Sequence, residues 1–248
     1  MIAPISYTIQ SYFESITYAF NKKVIFYIFL LLILGGASAF YVFTFIWNES
    51  DSIFKTLLGQ FSWFETNGFL TTAMTWIVKL FGTAFILILY RYIFFIVCSP
   101  ILSLISEAVE KEYFKRNNLF LSTESISIFS SIWRSILMNG RNFIIEIAIC
   151  TVLFLLSFIP LLGIIFSALS FLVSSYFAGV SNFDFSVERY YKYSTSLRWY
   201  AAHRLHVMGQ GIVYMLFFWI PIIGWVLIPI WSTIASTIHY CKIAEGNK

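Results

Sequence analysis

Apolar residues recur at spacings of three and four over the first twenty positions: Ile5, Ile9, Tyr12, Phe13, Ile16 and Phe20. That spacing lays one apolar stripe along a helix. Ser6, Gln10, Ser11, Glu14 and Ser15 are left for its other side, and Lys22-Lys23 ends the pattern. The pattern predicts an interfacial helix over 1–21, lying on a membrane without crossing it. From Val24 to Trp47 the chain carries no charge. Such a run spans a hydrocarbon core of about 30 Å at 1.5 Å per residue, so 24–47 is the first predicted transmembrane helix. A polar connection with Glu49, Asp51, Lys55 and Glu65 follows, then a second predicted span over 72–99. Residues 101–141 hold two amphipathic segments. One carries Leu102, Ile105, Val109 and Tyr113 opposite Glu107, Glu110, Lys111 and Lys115; the other carries Ile126, Phe129, Trp133, Ile136 and Leu137.

Two long runs without Asp, Glu, Lys or Arg come next, Ile147–Phe183 and Val207–Cys241. Each is divided by the same phrase. Ile159-Pro160-Leu161-Leu162-Gly163 returns as Ile220-Pro221-Ile222-Ile223-Gly224. The arms before the two prolines are too short to span, and apolar runs of 10–14 residues are more often re-entrant or buried. Backbone breaks at membrane depth are tolerated only where protein or a water-filled cavity covers them. Two re-entrant hairpins over 142–183 and 207–241, turning at Pro160, Gly163, Pro221 and Gly224, are therefore preferred over four further spans. Pro229 is expected to interrupt the last arm. A basic helix over 184–206 joins the hairpins.

Composition agrees with a membrane solvent. The chain is 59% hydrophobic and 11% charged, where a soluble domain is nearer 25% charged. The expectation is an all-α integral membrane protein: one membrane domain over 1–248, with two long transmembrane helices, two hairpins and interfacial helices. Cys98, Cys150 and Cys241 lie in or beside apolar runs and read as fillers, not as a disulfide or metal set. No cleavable signal is evident. Most of the 16 basic residues share one face, from Lys22-Lys23 through Lys111, Lys115, Arg134 and Arg189 to Lys242. The positive-inside rule then places both termini in the cytoplasm. The net charge of +4 does not call for nucleic acid.

No catalytic motif stands out, and neither an enzyme nor a cofactor is expected. His203 and His206 are spaced for a metal, but no nearby Cys or carboxylate completes a site. Glu107 and Glu110, with Lys111 and Lys115 beside them, read as a solvated helix face. Arg91 lies within the second span, where a charge costs about 2.5–3.5 kcal/mol on insertion scales. It either snorkels, pairs with Glu146 or Asp184, or lines an anion path. Lys22-Lys23 is a topology signal that would also draw an anion to a pore mouth. Helix N-termini beside Pro100 and after Gly163 and Gly224 offer free N–H groups, and broken transporter helices use their ends in this way. These features favour an anion conduit over a cation conduit.

The stretch from Ser175 to Phe185, followed by Arg198, Arg204, Gly209, Gly211, Ile220-Pro221-Ile222-Ile223-Gly224 and Pro229, resembles the CysZ family of bacterial sulfate permeases. Pro100-Ile101-Leu102-Ser103-Leu104-Ile105-Ser106-Glu107 resembles that family's Pro-Phe-x-x-Leu-x-x-Glu element, and Ile159–Gly163 its first hairpin turn. The resemblance covers about residues 12–242. It implies sulfate uptake across the inner membrane for cysteine synthesis, two full spans, two half-membrane hairpins and homo-oligomeric assembly. It places anion binding at Lys22 and Lys23, where Arg is common, and in the Pro100–Glu107 segment, with Ser103 and Glu107 as candidates. Arg91 stands where better-known members are uncharged, and Ser186 where they carry Pro. The expected function is an inner-membrane anion permease. The alternative is a non-transporting membrane scaffold with the same domain, and a membrane enzyme would require Glu146, Asp184 and His203 to converge.

Overall fold

Long apolar runs with few breakers fold here as helices, because a backbone in lipid must satisfy its own hydrogen bonds. The computed structural model describes residues 2–59, 68–117, 127–159, 162–220 and 223–246. In chain order the helices are α1 (Ile2–Ala19), α2 (Lys22–Gly59), α3 (Gly68–Val97), α4 (Ser99–Arg116), α5 (Ile128–Leu156), α6 (Gly163–Val187), α7 (Tyr193–Ala202), α8 (Arg204–Phe218) and α9 (Ile223–Gly246). Among the described residues there is no strand. Four stretches are long and apolar enough to cross a membrane: Lys22–Phe45, Phe85–Arg116, Ile128–Leu156 and Gly163–Val187. The chain is a multi-pass, all-α membrane protein.

Several helix boundaries differ from the sequence pattern. The amphipathic segment before residue 141 and the first hairpin arm form one helix, α5, since Gly140 and Asn142 interrupt hydropathy without breaking the backbone. The basic stretch over 184–206 is divided among the end of α6, a turn, α7 and the start of α8. Pro229 lies inside a continuous α9. It removes one helical donor but leaves its carbonyl engaged, with the Thr233 hydroxyl donating at 2.8 Å.

Pro160 and Pro221 lie outside the described residues. Gly163 and Gly224 open α6 and α9, pressed against the helices before them. A Cβ on Gly163 would stand 2.5 Å from the Ser157 carbonyl oxygen, and one on Gly224 2.1 Å from that of Phe217. The end of α5 therefore meets the start of α6, and the end of α8 the start of α9. At 15 residues, α8 is about 22 Å long and too short for a hydrocarbon core. By length alone α5 and α6 could each cross.

The densest helix pair is α6 on α8. Small residues allow their backbones to touch. A Cβ on Gly211 would meet the Ser175 carbonyl at 1.6 Å, and one on Gly179 the Val207 carbonyl at 2.0 Å. Membrane helices, which gain little from hiding apolar surface, associate through such close packing.

The amphipathic elements point in opposite senses. In α1, Ile5, Ile9, Phe13 and Ile16 face outward, as does Phe20 just past its end, while Tyr12 of the same predicted stripe is buried with Thr8, Ser11 and Ser15. Those inward groups dock on α9: the Tyr12 hydroxyl donates to Ser232 Oγ at 2.9 Å, and Trp231 Nε1 donates to Ser15 Oγ at 2.5 Å. In α5 the stripe Phe129, Trp133, Ile136 and Leu137 also faces outward. In α4 the apolar stripe Leu102, Ile105, Val109 and Tyr113 is core.

Candidate functional site

A cavity of about 510 Å³ lies where the start of α2 meets α4 between Leu104 and Lys115. Asn21 sets its geometry. Its side-chain oxygen accepts the Lys23 N–H at 3.0 Å, and its carbonyl accepts Ile25 N–H at 2.9 Å, so it caps α2. That cap fixes Lys22 and Lys23 in the first turn, where the helix dipole is positive. From α4, Lys111 and Lys115 line the same cavity, one turn apart, with Glu107 and Glu112. The acids are partly engaged: Lys111 pairs with Glu107, and Glu112 accepts from Arg116 Nε at 2.9 Å. Among the described residues Lys22, Lys23 and Lys115 have no ion-pair partner. Four ammonium groups against two carboxylates leave a surplus suited to a small anion.

Of the sequence-predicted site residues, this cleft unites Lys22, Lys23 and Glu107. Ser103 is elsewhere, its hydroxyl donating to Glu188 Oε1 at 2.5 Å. Arg91 is fully buried and paired with Glu146, which also accepts from the Tyr92 hydroxyl at 2.5 Å. Its charge is balanced inside the protein. Gly163 and Gly224 lie at the starts of α6 and α9 and are not among the residues lining this cleft. Glu110 does not belong to a solvated face. It is buried and accepts from Arg189 Nε at 2.6 Å and from the Tyr190 hydroxyl at 2.6 Å.

A polar seam between α5 and α6 escaped the sequence reading. On α5, Ser131, Ser135, Asn139, Asn142 and Glu146 recur at spacings of three and four, and all are buried. Polar groups on α6 and at its C-terminal cap answer them. Ser181 donates to Asn139 Oδ1 at 2.7 Å, Arg134 Nη2 donates to Asp184 Oδ1 at 2.6 Å, and Ser131 donates to Glu188 Oε1 at 3.3 Å. The Tyr200 hydroxyl adds a bond to Asp184 at 2.6 Å. The signal was present in the spacing, but serine and asparagine within apolar runs barely alter hydropathy. At the seam's end, past α6, burial and the nearby Asp184 charge push the Glu188 carboxyl up to about 7.

Glu146, Asp184 and His203 have separate partners: Arg91 and Tyr92, Arg134 and Tyr200, and the Trp199 ring stacked 4.4 Å away. His206 and His239 share a 2.8 Å ring-nitrogen contact. Among the described residues no three His, Cys, Asp or Glu side chains form a metal-holding group.

The family described as sulfate transporter CysZ/etoposide-induced protein 2.4 matches residues 11–229. No curated protein matches the chain.

Proposed function

Because the chain belongs to the sulfate transporter CysZ/etoposide-induced protein 2.4 family, we propose that it is a permease for a small oxyanion, sulfate first, with the lysine cleft as its cytoplasmic mouth. The observation that carries this reading is the union of Lys22 and Lys23 with Lys111 and Lys115 in one cavity at the capped start of α2. Unpaired ammonium groups at a positive helix end attract a tetrahedral anion and hold it by charge-assisted hydrogen bonds. The basic bias of this face supports an inner-membrane protein with both termini cytoplasmic. In this reading the hairpins turn back within the bilayer, as the shortness of α8 suggests for the second. The α5–α6 seam offers the route inward, closed by its ion pair, and sulfate delivered this way would feed cysteine synthesis. Copies of the chain would assemble through their outward apolar faces.

Labelled sulfate uptake into proteoliposomes tests the proposal. Uptake should exceed that of empty vesicles and fall about tenfold or more in K22A/K23A, the loss of roughly one charge-assisted bond. Sulfite and thiosulfate should compete. Folded protein giving uptake no faster than empty vesicles would sink the permease reading. It would leave a membrane scaffold, which the outward apolar faces of α1 and α5 support.

A further inference from the structure

The chain has three histidines, and all three meet beside the joint between α7 and α8. His203 is at once the C-cap of α7 and the N-cap of α8. The negative end of one helix dipole therefore meets the positive end of the other, and neither dominates the field there. His203 and His206 are half-buried, with ring centroids 6.1 Å apart. His239 reaches them from α9 and is fully buried.

Each of the two outer rings is anchored through Nδ1. His203 Nδ1 lies 3.0 Å from the Trp199 carbonyl, which only accepts, so this ring carries its proton on Nδ1. The Trp199 ring, stacked 4.4 Å away, fixes its plane. His206 Nδ1 lies 2.8 Å from His239 Nε2. On its far side, His239 Nδ1 lies 3.1 Å from the Gln210 amide, whose buried oxygen has no hydrogen-bond partner. With that amide turned over, its oxygen accepts from His239 Nδ1, and His239 Nε2 accepts from His206 Nδ1. All three rings then carry their protons on Nδ1. Nε2 of His203 and of His206 is left with a lone pair and, among the described residues, no partner. Metal-binding imidazoles are held in this manner, the second nitrogen donating to a neighbour that fixes tautomer and ring direction.

The chemistry of these donors selects the ion. Neutral imidazole suits copper, nickel and zinc, and Cu2+ stands highest in affinity among the divalent first-row ions. Mg2+ and Ca2+ need several oxygen ligands. None is free here: Lys242 of α9 is paired with Glu14, and Arg204 stands exposed between the two ligands. An ion at this joint is held by its bonds to nitrogen, not by surrounding negative charge.

We propose that His203 and His206 form a two-imidazole site for a late first-row divalent cation, Cu2+ most tightly. Water completes its coordination, and His239 with Gln210 holds His206 in the binding tautomer. A bound ion clamps α7 to α8. The site is independent of the oxyanion reading and stands or falls separately.

Titration of Cu2+ into the untagged full chain in detergent, followed by electron paramagnetic resonance, tests it. One Cu2+ per chain should bind, split by two imidazole nitrogens. Zn2+ should displace it only in excess, and Mg2+ not at all. His203→Gln and His206→Gln should each weaken binding about tenfold or more, and His239→Gln, a positioning change, about tenfold. Zn2+ should raise the thermal midpoint of the wild-type chain but not of the double variant H203Q/H206Q. Any nitrogen count other than two, displacement by Mg2+, or undiminished binding in folded H203Q/H206Q or His239→Gln would overturn the proposal. If His239→Gln does not fold, the nitrogen count and the two half-buried variants decide alone.

Discussion

At the scale of single residues, Glu188 is a carboxyl moved into the neutral pH range. It accepts from Ser103 and Ser131 while sitting near Asp184, and burial holds its carboxyl up to about 7. In the unfolded chain a glutamate titrates near 4.3. The folded state therefore binds more protons between those values. Its contribution to stability is complete below the unfolded value and is lost as pH rises through about 7. Glu188→Gln should flatten the thermal midpoint across pH 5–8 and raise it most at pH 8, as read by scanning fluorimetry in detergent. An unchanged pH profile would remove Glu188 from that role. Partners of single charges were unevenly legible in the sequence. Arg91 in an apolar run left snorkelling, an acid partner or an anion path open, and Glu146, one of the two acids named, is its partner. Glu110 was misread because Lys111 and Lys115 beside it suggested a solvated face, whereas its partner Arg189 is distant in sequence. Ser103 falls in the expected segment, but its hydroxyl turns toward Glu188 and away from the lysines.

At the scale of helices, Gly163 and Gly224 of the repeated phrase stand at the starts of α6 and α9. The carbonyls of Ser157 and Phe217 occupy the space a side chain would need. The α6–α8 crossing, by contrast, has no motif of its own in the linear pattern. Gly179 and Gly211 gain meaning only once their helices are opposed. Gly211→Leu should separate α6 from α8, costing about 1–3 kcal/mol or more as an overpacked contact. Gly36→Ala, where an added Cβ meets nothing within 4 Å, should be neutral or slightly favourable through helix propensity. Thermal unfolding of both variants in the same detergent measures the contrast. Equal midpoints would show that the two helices can part without loss.

At the scale of the whole molecule, composition correctly implied a lipid solvent, but the direction of each amphipathic face required tertiary structure. The same spacing faces inward on α4 and outward on α1 and α5. A nitroxide at F13C, in a background with Cys98, Cys150 and Cys241 changed to Ala, should collide more often with oxygen than with a water-soluble nickel chelate. The opposite preference would place α1 in water. The docking of α1 on α9 also has a consequence for biogenesis. Ser15 and Tyr12 find partners on α9, made more than 200 residues later, through Trp231 and Ser232, and Lys242 reaches back to Glu14 at 2.8 Å. Until α9 emerges, the first helix has a hydroxyl-rich side without its final cover. The nascent chain must therefore hold α1 at the membrane surface until α9 is made, and the pairing of these two distant helices is a nonlocal step expected to be slow.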